Sequence, residues 1–112
     1  MSQLTTHILD TSLGRPAKNV AVILEHQFKD HWIKIAEGTT NDDGRITDLL
    51  KEDMILKVGN YRLIFETAFY FQIQKIKTFY PRITIEFEIV DQSHYHVPLL
   101  LNPYGYSTYR GS

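Results

Sequence analysis

The sequence predicts an all-β fold, a two-sheet antiparallel β-sandwich of about eight strands with one short helix. Three observations carry that reading. Apolar and polar residues alternate at period two along several segments. Clusters of Gly, Pro, Asn and Asp separate those segments. Only one stretch, "ETAFYFQIQK", reads as helical.

Taken in order, "LTTHILD" (4–10) is the first strand and carries His7 flanked by threonines. "NVAVILEHQ" is rich in β-branched and apolar residues and predicts a strand from Val20 to His26. "HWIKIAEGTT" follows it, with Lys29-Asp30 as the hairpin turn between the two. "NDDGR" is a strong reversal, because Asp-Gly supplies positive φ, and a short strand from Arg45 to Thr47 follows. "LLKEDMILKVGN" is the least legible segment, a loop or a single helical turn. Tyr61, Leu63 and Phe65 alternate with polar neighbours. The helix is expected over Thr67 to Gln74 and is poorly capped.

Ile83, Ile85, Phe87 and Ile89 face one way while Thr84, Glu86 and Glu88 face the other, a half-buried strand over 83–90. "HYHVPLLL" makes the next strand, "NPYG" the turn and "YSTYRG" a final strand paired back as a hairpin. No repeat, linker or low-complexity stretch interrupts the chain, so 1–112 reads as a single domain.

Twelve Lys and Arg against thirteen Asp and Glu give a net charge of −1. That balance argues against nucleic acid and against an anionic membrane surface as partners. Without cysteine there is no disulfide or thiol chemistry. "MSQLTTHILD" lacks the pattern of a secretory signal, no apolar run approaches the ~18 residues of a bilayer span, and the last three residues are not Ser-Lys-Leu. The expected location is the cytoplasm.

Five histidines are the first candidates for chemistry: His7, His26, His31, His94 and His96. Imidazole titrates near neutrality, with an ordinary pKa of ~6.5. His94 and His96 lie two apart and so share a strand face. With His7 they would make three nitrogen ligands for zinc with an open position for water. The alternative is that each is a structural hydrogen-bonding group. His26 and His31, beside a hairpin turn, read as solvated or capping groups. Arg45 and Arg110 stand at strand ends, where a solvated surface charge is the plain reading. A guanidinium also offers five donors in a planar fork suited to a carbonyl-rich or anionic ligand. Ser112 adds a hydroxyl and the chain end a carboxylate. No phosphate loop, nucleophile elbow or zinc-protease motif is present.

With those residues placed, the chain resembles the 5-hydroxyisourate hydrolases, transthyretin-related enzymes of purine breakdown. The resemblance rests on "LTTHILDTSLGRPA", "TNDDGRI", "FYP" and "HYHVPLLLNPYGYSTYRG", and on the terminal Tyr109-Arg110-Gly111-Ser112 that marks the enzymes and that transthyretins lack. It implies a transthyretin-like sandwich of two four-stranded antiparallel sheets. It implies a homotetramer, a dimer of dimers, with sites in clefts between subunits. The implied reaction is hydrolysis of an oxidised purine, 5-hydroxyisourate, to 2-oxo-4-hydroxy-4-carboxy-5-ureidoimidazoline, with neither cofactor nor metal. His7, Arg45, His96 and Ser112 carry over as catalytic residues, and Tyr109, Arg110 and Gly111 as substrate-binding ones. In that scheme His7 and His96 are the acid–base pair, with His7 favoured as activator of water. Arg45 stabilises developing negative charge, Arg110 and Ser112 orient the reactants, and Tyr109 closes the wall. "FETAFYFQIQKIKT" is bulkier and more basic than the family's helix region. The competing reading is a transthyretin-like carrier that holds a small aromatic ligand without catalysis.

By alternation Tyr104, Tyr106, Thr108 and Arg110 share one face of the last strand and Tyr109 the other. The whole tail is therefore not expected to point into one cleft from one subunit.

Overall fold

The fold was described from a computed structural model covering residues 2–112. The described residues form nine strands and one helix. They are β1 (Leu4–Asp10), β2 (Arg15–Pro16), β3 (Ala21–Phe28), β4 (His31–Thr39), β5 (Arg45–Ile46), β6 (Gly59–Phe65), α1 (Thr67–Ile73), β7 (Ile83–Ile89), β8 (Tyr95–Asn102) and β9 (Gly105–Thr108). One sheet runs β2-β1-β8-β9 with β5 also paired to β1; the other runs β4-β3-β6-β7. No helix among the described residues is long and apolar enough to cross a membrane.

The sandwich of two sheets and a single helix is the expected architecture. One ladder departs from the antiparallel expectation. β1 and β8 run parallel from Leu4↔Tyr95 to Asp10↔Leu101. A parallel pair needs a long crossover rather than a hairpin, and the whole second sheet lies between these two strands in the sequence.

Alternation then divides the residues as expected. Leu4 and Ile8 of β1, Val22 and Leu24 of β3, Leu63 and Phe65 of β6, and Leu99 and Leu101 of β8 are fully buried between the sheets. Each such side chain stabilises the fold by about 1.5–3 kcal/mol relative to exposure. Thr5 and His7 of β1, and His96 of β8, alternate with those core residues and so face outward from the first sheet.

Lys29 (φ 56°) and Asp30 close a two-residue hairpin, with Phe28 opposite His31. The "LLKEDMILKVGN" segment is a loop as far as Val58, and its last two residues open β6. Leu49, Leu50 and Leu56 anchor it in the core, and the Gln3 side-chain oxygen accepts from the Leu56 amide at 2.8 Å. That anchoring depends on a residue 53 positions away, so no local pattern records it. α1 lacks a side-chain cap, and its Thr67 hydroxyl is buried without a partner.

The last strand is shorter than predicted. β9 stops at Thr108, yet Gly111 still bridges His96 in the same register. Between them Tyr109 falls opposite Pro98, which has no N–H to give to the ladder.

Candidate active site

A turn and two strand registers assemble the site. Gly44 holds φ +71°, and a Cβ there would stand 2.5 Å from the Ile8 carbonyl oxygen. Only glycine permits that approach, which lets the Gly44 carbonyl accept the Ile8 amide at 2.8 Å. The Asn41 side-chain oxygen accepts from the Asp43 and Arg45 amides at 2.9 and 3.0 Å and locks the reversal. The turn is thus clamped onto β1, with Arg45 opposite His7. On the other side of β1, Thr5 lies opposite His96. Directly opposed side chains on one sheet face have Cβ atoms about 5 Å apart. Arg45, His7, Thr5 and His96 therefore cluster on one surface.

The imidazoles are held by specific partners. The Thr5 hydroxyl lies 2.8 Å from His96 Nδ1 and 3.0 Å from His94 Nε2. The rings of His94 and His96 stack with centroids 6.4 Å apart and planes 17° from parallel. His94 precedes β8 rather than belonging to it. Burial, then the Arg45 guanidinium, push the pKa of His7 below its ordinary value, against the opposing pull of the Asp43 carbonyl and carboxylate. For His96, burial acts first, then Arg45, His94 and His7, and together they outweigh a hydrogen bond to the Thr5 carbonyl. Both imidazoles are thus neutral at and above neutral pH and free to accept a proton.

An open cavity of about 970 Å³ lies against this cluster, lined among others by Thr5, Arg45, Thr47, His94, His96 and Ser112. The otherwise illegible loop adds Leu49, Leu50, Lys51 and Glu52 to its wall. His7 does not line it directly and stands next to Thr5 along the same face of β1. Gly111 donates its amide to the His96 carbonyl at 2.8 Å. A Cβ on Gly111 would come within 2.6 Å of His96 Cδ2, so the missing side chain is what lets the imidazole lie over the tail.

The other tail residues go elsewhere. The Arg110 guanidinium stacks over the Tyr95 ring at 4.1 Å and donates to the Ser93 hydroxyl and the His94 carbonyl, each at 3.2 Å. Tyr109 and Arg110 border a separate cavity of about 260 Å³ against β7. One chain therefore brings together His7, Arg45, His96, Gly111 and Ser112, and leaves Tyr109 and Arg110 outside. That division follows the alternation for Arg110.

Among the described residues no group of three His, Cys, Asp or Glu side chains converges at metal-binding distance. His94 and His96 instead share a hydroxyl. Thr5, bonded to both imidazoles, is the position in this cluster that residue-type scanning passes over, because threonine has no catalytic signature. Its spacing of two from His7 on a strand was the available signal.

A family profile described as "HIUase/Transthyretin family" matches residues 4–111. A curated "5-hydroxyisourate hydrolase" of Salmonella typhimurium is 49% identical over 110 residues, covering 97% of this chain and 80% of the relative. One of Mus musculus is 40% identical over 114 residues, covering 99% and 96%. The solved 5-hydroxyisourate hydrolase of Klebsiella pneumoniae superposes with a TM-score of 0.86 at 39% identity, covering 97% of this chain and 98% of that one. Sea bream transthyretin in complex with thyroxine superposes with a TM-score of 0.91 at 32% identity, covering 98% and 95%. Backbone shape thus does not separate hydrolase from carrier; side chains must.

Proposed function

The chain belongs to the HIUase/Transthyretin family, and on that premise we propose how it hydrolyses 5-hydroxyisourate. The observation that carries the reading is the convergence of two neutral imidazoles and a guanidinium on one sheet face. A carrier has no use for that set.

The substrate ring opens at an amide carbonyl. Water adds to the carbonyl carbon, the ring C–N bond breaks, and a carboxylate and an N–H result. Water is a poor nucleophile, so His7 or His96 takes its proton as the new C–O bond forms. The imidazolium so created returns a proton to the departing nitrogen. Such acid–base assistance contributes typically ~10²–10⁴-fold. Arg45 donates to the oxygen on which negative charge develops, and Ser112, which lines the cavity beside His96, orients the reactants. Gly111 holds His96 in place by leaving room for it.

We further propose that the active assembly is a homotetramer with sites between subunits. The histidine cluster lies on an outward sheet face rather than between the sheets, and its cavity opens outward. Tyr109 and Arg110 do not reach it within one chain, so their substrate-binding role requires a second copy.

Generating 5-hydroxyisourate in situ from urate and urate oxidase, and following its ultraviolet decay, tests the activity. The protein should accelerate decay well beyond the spontaneous rate, with or without chelator. Decay at the spontaneous rate rejects the hydrolase. Loss of activity on chelation and its return with zinc would restore the metal alternative. Light scattering checks the assembly, for which four copies are expected.

A further inference from the structure

The Thr5 hydroxyl is the only side-chain group hydrogen-bonded to both His94 and His96 among the described residues. It has a single proton to give, so it donates to at most one of the two rings. The His96 nitrogen 2.8 Å from that hydroxyl is Nδ1. The Thr5 backbone carbonyl, which can only accept, also holds the His96 pKa up against burial and the neighbouring charges. Both oxygens of Thr5 thus favour a proton on Nδ1, which leaves the hydroxyl to donate onward to His94 Nε2, 3.0 Å away. His96 Nε2 has no hydrogen bond among the described residues, on a ring that lines the cavity.

We infer that Thr5 is a positioning residue. It sets His96 in the Nδ1–H tautomer, aims the Nε2 lone pair at the reacting water, and links His96 to His94 through one hydroxyl. The inference rests on the hydrolase reading and adds to it the choice of His96 as the group that takes the proton from water. When Nε2 takes that proton, Nδ1–H can pass its own to the Thr5 oxygen as the hydroxyl proton moves to His94 Nε2. The positive charge then rests on His94, and no proton is gained or lost overall. The charged and titratable groups facing His96 are Arg45 from β5, His7 from β1 and His94 from the segment before β8. Asp48, Lys51 and Glu52 line the same cavity from the loop. No other imidazole is tied to His96 by a hydroxyl, which separates His94 from the general field of the site.

Nitrogen-15 NMR of histidine-labelled tetramer reads the tautomer without substrate, and kinetics reads its consequence. In the native protein His96 should show a protonated Nδ1 and a bare Nε2 above pH 7. Thr5→Val, close to isosteric, should mix the tautomers and lower kcat by about 10²-fold, with KM moving far less. Thr5→Ser, which keeps the hydroxyl, should restore kcat to within about threefold of native and recover the native pH profile. A native His96 protonated on Nε2 would overturn the inference whatever the activity. So would a Thr5→Val protein with native kcat and pH profile, or a Thr5→Ser protein as slow as Thr5→Val despite native melting temperatures. If the native protein fails to accelerate substrate decay while its His96 shows Nδ1–H, the hydrolase reading fails and the tautomer assignment stands.

Discussion

The outward faces of the two sheets each present an arginine, and the two arginines live in opposite circumstances. On the second sheet, Arg62 lies 2.6 Å from Glu25 and stacks over Trp32 at 4.2 Å, with Glu86 opposite it in register. Its donors and its charge are already matched. On the first sheet, Arg45 has no ion pair among the described residues and faces two imidazoles kept neutral first by burial and then by its own charge. Two faces of one sandwich, built by the same alternation, thus differ in whether charge is satisfied internally or left for a guest. An unmatched guanidinium beside proton acceptors marks chemistry more sharply than burial or backbone shape does.

The comparison breaks first at Arg45. Arg45→Lys keeps the charge and loses the planar fork that reaches a carbonyl oxygen with two donors. Turnover should fall about 10²–10³-fold, near 3 kcal/mol of transition-state stabilisation, with melting unchanged. Near-native turnover in the decay assay would make Arg45 a surface charge like any other.

Gly111→Ala probes the same face through packing. The added methyl would collide with His96 Cδ2, so the ring or the tail must shift. Displacing a reacting group by about 1 Å costs up to about 10²-fold, and kcat should drop accordingly while the sandwich still folds. Native kcat in that variant would show that the tail does not hold the imidazole.

How much of this was readable beforehand differs between levels. Period-two alternation put His94 and His96 on one strand face, the first strand carried His7, and "NDDG" located the turn that presents Arg45. The same rule put Arg110 and Tyr109 on opposite faces, yet the two border one cavity, because the regular strand ends at Thr108. The parallel β1–β8 ladder was hidden, because a strand's alternation is the same whichever way its partner runs. The wall from Leu49 to Glu52 was hidden for another reason. Its conformation is imposed by Gln3 and the core, so nothing local announces it. Thr5 lay between these cases: its spacing from His7 was legible, but nothing local shows that its hydroxyl meets two imidazoles from a distant strand.

Acidification sharpens the contrast more gently. Both site histidines have folded pKa values below 6.5, so both stay neutral until the pH falls beneath that value. The acid limb of kcat/KM should have its half-loss point below pH 6.5. The unfolded chain binds these protons first, so stability should also fall as the pH drops from about 6.5 towards the folded pKa values. A half-loss point above 6.5 would mean that neither imidazole is the proton acceptor described here.

The smallest effect belongs to the satisfied arginine. Arg62→Leu removes an ion pair whose side chains are 29% and 18% exposed, together with its stacking on Trp32. Solvent still reaches both partners, so the lost attraction is screened and stability should fall by only about 1 kcal/mol. Leucine keeps part of the contact with the indole, which limits the loss further. The second sheet contributes no residue to the histidine cavity, so turnover should match the native protein at temperatures below melting. If Arg62→Leu were to slow turnover at constant stability, the two faces would be coupled through the core. The division between a charge-matched sheet and a working one would then no longer hold.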